Sequence, residues 1–73
     1  MTLGEKIKGL RIKSNLTQEQ LAEKLDLSRS AVAKWESNNG LPDVVNLKKL
    51  SKIFYVTIVS LVDYTDDLKI GGK

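Results

Sequence analysis

Two helix-start signals, at Thr17 and Ser28, stand so close together that the chain between and after them can only form two short helices meeting at a tight turn. The Thr17 hydroxyl can accept from the amide of Gln20, and the Gln20 side chain can return a bond to Thr17, which is the capping-box pattern. Leu16 and Leu21 bracket that cap as a hydrophobic staple. Leu21, Ala22 and Leu25 share one helical face and leave Glu19, Glu23 and Lys24 for water, so the spacing predicts a helix of about two turns over residues 17–25. Asp26 and Leu27 follow, and Ser28 offers a second N-cap, with Leu27 and Val32 repeating the staple. Val32 and Trp35, with Ala31 beside them, give the second helix its buried stripe. Arg29, Ser30, Ala33 and Lys34 remain on its other faces.

That outward set is small, cationic and hydroxyl-bearing, and it lies at the N-terminal end of a helix stapled at an angle to its predecessor. Such an arrangement suits the DNA major groove, where side chains near the start of a helix read base edges. The stretch closely resembles the helix-turn-helix of the Cro and phage-repressor family, the XRE-like regulators. The resemblance rests on Leu16, Thr17, Gln18, Leu21, Ala22, Leu25, Ser28, Val32, Trp35 and Glu36, and it extends to Pro42, Leu47, Leu50, Val56 and Leu61. It covers roughly residues 3 to 62 and implies an all-α, five-helix, lambda-repressor-like DNA-binding domain with the helix-turn-helix at helices 2 and 3.

The flanking segments read as three further helices. Thr2 caps the first, with Glu5 at the capping-box position and Leu3, Ile7 and Leu10 as its buried stripe; it is expected to end around Ser14 and Asn15. Ser37 to Pro42 form a loop by composition, because glycine and asparagine tolerate positive φ and proline blocks helix continuation. Asp43 caps a fourth helix with Leu47, Leu50 and Phe54 as its main stripe, Val44 and Ile53 flanking it, and Lys48, Lys49 and Lys52 on the remaining faces. Thr57 caps the last helix, Val56 and Leu61 repeat the staple, and Leu61 and Val62 close the core. The expected domain runs over residues 1–64, and residues 65–73, ending in Gly71 and Gly72, are expected to be a flexible tail or the start of a linker to a longer regulator.

Composition narrows the functional classes. A chain of 73 residues with no cysteine and no histidine excludes disulfide scaffolds, zinc fingers and thiol or imidazole catalysis. No catalytic residue, metal site, cofactor or small-molecule ligand is expected. Asp63, Asp66 and Asp67 are the one acidic cluster, and they read as a solvated helix end. No apolar run approaches the roughly 18 residues of a membrane span, and Met1 leads into a capped helix, so a cytoplasmic protein without a membrane partner is expected. The net charge of +3 is mild. Its distribution says more: Lys6, Lys8, Arg11 and Lys13 cluster in the first helix and Lys48, Lys49 and Lys52 in the fourth, although ordinary solvated faces would look the same.

The resemblance assigns roles residue by residue. It pairs Arg11 with Glu36, an ion pair that would fix how helix 1 crosses the motif. It gives Gln18 a backbone phosphate, assisted by the amides at the start of its helix, and makes the loop Ser37, Asn38, Asn39 and Gly40 a second phosphate anchor. Base reading falls to Arg29, Ser30 and Lys34, with Ser28 at the helix start and Ala33 placed for a thymine methyl. Arginine can bond both acceptors of guanine, which makes Arg29 the expected main reader; the alternative is an arginine that only clamps phosphate. An exposed lysine such as Lys34 is often merely solvated. Trp35 shares the stripe of Val32 and reads as core, not as a base-stacking platform.

One module reads only a few base pairs, and the family solution is a homodimer on a palindrome of double-stranded DNA. Val45 and Val59 stand where the family usually places polar residues, with Tyr55 and Ile58 close by, so these four are the candidate dimer contacts; incidental surface hydrophobicity is the alternative. Asp26 and Tyr55 stand where the family favours glycine, or glycine and asparagine, and both are expected to adopt a left-handed backbone with some strain. The expected function is a sequence-specific transcriptional regulator, a repressor that occludes a promoter. The alternative is a helical protein-interaction module that uses the same scaffold on a protein partner.

Overall fold

A computed structural model of the chain describes residues 1–62. The described residues form five α-helices: α1 (Leu3–Lys13), α2 (Gln18–Leu25), α3 (Arg29–Glu36), α4 (Val44–Phe54) and α5 (Ile58–Val62). Thr2, Thr17, Ser28 and Asp43 hold extended backbone, and each side chain accepts from the N–H three residues on, at Glu5, Gln20, Ala31 and Asn46. Thr57 does the same for Ser60 at the start of α5. Capping boxes close at Thr2 with Glu5 and at Thr17 with Gln20, as their spacing predicts.

The helices end by one repeated device. Asn15, Asp26 and Tyr55 adopt left-handed backbone at φ 61°, 62° and 57°. In each case the next residue, Leu16, Leu27 or Val56, donates its N–H to the carbonyl five positions back, at Arg11, Ala22 or Ser51. That is the Schellman closure, which satisfies a helix-end carbonyl and turns the chain inward. The same three residues pack against the core, and each is followed by the hydroxyl that caps the next helix. A left-handed residue, an apolar residue and a hydroxyl thus form each connector. At the end of α3 the left-handed residue is Asn38, at φ 65°, and Gly40 does not use the freedom that its lack of a Cβ allows.

Leu3, Ile7, Leu21, Ala22, Leu25, Val32, Trp35, Leu50, Phe54 and Leu61 make the core, with Leu10, Leu16, Leu27, Leu47, Ile53 and Val56 packed around it. Helix α3 lies against α1 and α2, α4 against α2 and α5, and α5 against α1. A domain this small has only about 3–5 kcal/mol of net stability, and truncating one fully buried leucine costs about 2–5 kcal/mol, so no core side chain is expendable. Lys49 adds a polar tie: its Nζ donates to the Leu25 carbonyl at 3.3 Å, placing a cation on the C-terminal end of α2.

One flank differs from expectation. Val44 is 65% exposed, whereas Ile53, on the other side of the stripe, packs against the core. Both lie roughly a quarter turn from the line of Leu47, Leu50 and Phe54 at 100° per residue. Val44 opens the helix, and its neighbour Val45 is exposed as well. The expected tail, residues 65–73, and Asp63, Asp66 and Asp67 lie outside the described residues. Among the described residues no helix is long and apolar enough to cross a membrane.

Candidate nucleic-acid interface

The N-terminal ends of α2 and α3 and the last residue of α3 meet at one polar cluster. Arg11, reaching over from α1, donates from Nε to Glu36 Oε2 at 2.6 Å and from Nη2 to Glu36 Oε1 at 3.1 Å. Its Nη1 donates to the Leu16 carbonyl at 2.8 Å. The two side chains are 12% and 4% exposed, so this bidentate pair is largely withdrawn from water. One guanidinium therefore clamps the end of α3 to the connector that precedes α2.

Gln18 extends the cluster outward. Its Nε2 donates to Glu36 Oε1 at 3.1 Å, and its Oε1 accepts from Arg29 Nη1 at 3.0 Å. Gln18 and Arg29 are the first helical residues of α2 and α3. A continuous chain of hydrogen bonds thus runs from Arg11 through Glu36 and Gln18 to Arg29, from the domain interior to an exposed cation. Gln18, the residue expected to hold a backbone phosphate, is thus bonded within the domain at both ends of its side-chain amide. Spacing gave no hint of the two Gln18 bonds, because they join residues 11 and 18 positions apart.

The remaining residues named from the sequence surround that cluster on α3. Ser30 and Lys34 are exposed and Ala33 is half-buried. The Ser28 hydroxyl lies 3.0 Å from that of Ser30 while also capping Ala31, so its position is fixed by the helix start. After α3, the Ser37 hydroxyl donates to the Ala33 carbonyl at 2.9 Å and the Asn39 Nδ2 donates to the Ser37 hydroxyl at 3.1 Å. The Asn39 N–H closes on the Lys34 carbonyl at 2.8 Å. These bonds give the loop a defined shape beside the helix. Trp35 is 7% exposed and belongs to the core.

Gly4 supports this surface from behind and escaped the sequence reading. A Cβ at that position would run into the Trp35 carbonyl oxygen and lie 2.7 Å from Asn38 Oδ1, so α1 approaches the end of α3 at a distance only glycine permits. Its signal was a glycine in the first turn of a helix, where alanine has the better propensity. Val45, Tyr55, Ile58 and Val59 lie apart from the polar cluster on α4, α5 and their connector, at 60%, 94%, 37% and 75% exposure. Leu41, in the loop before α4, and Val44, in its first turn, add further exposed apolar side chains. Among the described residues no group of histidine, cysteine, aspartate or glutamate side chains could hold a metal ion.

Two short helices joined by a Schellman turn, the second presenting an arginine, a serine and a lysine beside a polar clamp, define a helix-turn-helix DNA-binding domain. The family model described as helix-turn-helix matches residues 7–61. The chain is 53% identical over 62 residues to the HTH-type transcriptional activator BcrR of Enterococcus faecalis, covering 85% of this chain and 30% of that protein. It is 37% identical over 62 residues to the immunity repressor protein of Bacillus phage phi105, covering 85% of this chain and 43% of the repressor. With the control protein C.BamHI of Bacillus amyloliquefaciens the identity is 33% over 66 residues, which is 89% of this chain and 82% of that protein. The chain belongs to the Cro/C1-type helix-turn-helix family of DNA-binding transcriptional regulators. It spans less than half the length of the first two relatives.

Proposed function

We propose that this chain is a sequence-specific regulator that binds a palindromic operator as a homodimer, laying α3 into the major groove. The observation that carries the reading is the fixed, exposed N-terminal turn of α3, where Arg29 and Ser30 stand clear of the core while Glu36, at the other end of the helix, is clamped by Arg11. In this reading Arg29 bonds O6 and N7 of a guanine, which discriminates by about 1–3 kcal/mol, and Ser28, Ser30, Ala33 and Lys34 supply the neighbouring contacts. Gln18, the amides at the start of α2 and the loop Ser37, Asn38, Asn39 and Gly40 hold phosphates and set the register.

Dimerisation follows from the size of the site, because a single module reads too few base pairs to select one operator. Val45, Tyr55, Ile58 and Val59 are the contacts assigned to it, with half-sites about 34 Å apart. A bound dimer represses where its operator overlaps a promoter, in keeping with the immunity repressor among the relatives.

Selection from a random double-stranded DNA pool, followed by titration of the winners at two salt concentrations, tests the proposal. A palindromic consensus is expected, with log affinity falling by about 0.9 per phosphate contact for each unit of log salt. Enrichment of a single half-site would overturn the dimer. No enrichment and no salt dependence would overturn DNA reading and point to a protein partner.

A further inference from the structure

We propose that Glu36 is a positioning residue for base recognition, acting through Gln18 on Arg29 and not only as the partner of Arg11. The inference rests on Arg29 being the base reader. Its physical basis is the polarity of the cluster. A carboxylate carries only acceptors and a guanidinium only donors, and Gln18 lies between one of each. The Gln18 amide therefore has a single favourable orientation, with Nε2 toward Glu36 and Oε1 toward Arg29. Reversed, it would set oxygen against carboxylate and N–H against guanidinium. Glu36 is itself held on both oxygens by Arg11, so it cannot swing away to meet a flipped amide.

The consequence is an arginine that is aimed before DNA arrives. Arg29 is exposed, and an unrestrained arginine gives up much rotamer freedom when it docks on a base. Here one N–H of Nη1 is committed to Gln18 and four other N–H donors remain for guanine O6 and N7. The second hydrogen on Gln18 Nε2 remains for a phosphate oxygen, so one glutamine joins the phosphate register to the base reader. The charge of Glu36 makes that joint directional, and it makes position 29 favour a donor.

The test uses duplexes carrying the selected operator and the same operator with the Arg29-read base pair replaced. Wild type, Gln18→Met, Arg29→Ala, their double variant and Glu36→Gln are titrated on both. Gln18→Met is expected to lower discrimination at that pair about tenfold, within the range of one bidentate contact, and to leave it unchanged when Arg29 is already alanine. Glu36→Gln, whose amide no longer dictates the orientation of Gln18, is expected to lower discrimination at the same pair while the salt slope stays that of the wild type. A merely structural Glu36 would weaken binding to every duplex by one factor, and that uniform loss overturns the proposal. Should Glu36→Gln fail to fold, the side-chain amide of Gln18 in the wild type decides: one Nε2 hydrogen protected from exchange supports the link to Glu36, and two freely exchanging hydrogens overturn it. If instead Arg29→Ala leaves the preferred sequence unchanged, the base-reader assignment itself is at fault.

Discussion

The α2–α3 connector and the α4–α5 connector share one kind of turn, yet they join helices with opposite surfaces. Asp26, Leu27 and Ser28 match Tyr55, Val56 and Thr57 in backbone, in the bond that closes the helix and in the cap that opens the next one. Around the first connector the outward side chains are polar and bonded to one another, from Arg11 to Arg29. Around the second they are apolar and bare, with Tyr55 94% exposed in a left-handed conformation that suits glycine better. Local rules thus build a turn without settling what its surroundings are for. The proposed division follows the surfaces, with DNA on the polar pair and a second copy of the chain on the apolar one.

The largest effect should come from removing the carboxylate at the centre of the polar pair. Glu36→Ala leaves the Arg11 charge nearly buried without its partner, and a loss of about 3–5 kcal/mol is expected, as much as the whole domain has to give. Circular dichroism under urea should find this variant largely unfolded at 25 °C; a midpoint near that of the wild type would mean that water replaces Glu36 at no cost. Next come two glycines of the same helix. Gly4→Ala forces α1 away from the Trp35 carbonyl and should cost about 1–3 kcal/mol, whereas Gly9→Ala meets nothing within 4 Å and should gain about 0.5–1 kcal/mol. Equal effects in the melting curves of the two variants would contradict the close approach of α1 and α3.

The connectors themselves can be compared directly. Tyr55→Gly should stabilise the fold by about 1 kcal/mol, and Asp26→Gly by only a few tenths, because aspartate tolerates left-handed backbone far better than tyrosine. If the two gains in urea midpoint were equal, the side chain would not be the source of strain. The smallest expected change in stability is at Val59. Val59→Ser should leave the folding free energy within about 0.5 kcal/mol, since the residue is 75% exposed, while sedimentation shows weaker self-association than the wild type. Unchanged association would remove α5 from the proposed dimer.

Much of the fold was readable one residue at a time. Thr2, Thr17, Ser28, Asp43 and Thr57 mark helix starts because capping is a bond between near neighbours. Asp26 and Tyr55 were expected to turn left-handed, and do. Asn15 does the same at the helix end the spacing places around Ser14 and Asn15, where only the stopping point and not the backbone hand is expected. Helical spacing puts Val44 beside the core stripe, yet direction alone does not say whether a neighbour covers a side chain, and Val44 is 65% exposed.

The sequence by itself determined where helices begin and end, which face of each turns inward, and that small, cationic and hydroxyl-bearing side chains stand at the start of α3. Those properties follow from interactions within four or five positions of the chain. Only the tertiary structure decided that Gln18 bridges Glu36 and Arg29, that Gly4 admits the Trp35 carbonyl, and that Lys49 ties α4 to the end of α2. Each of these joins residues far apart in sequence, and their meeting depends on the angles at which the helices cross, which are set by packing of the whole core.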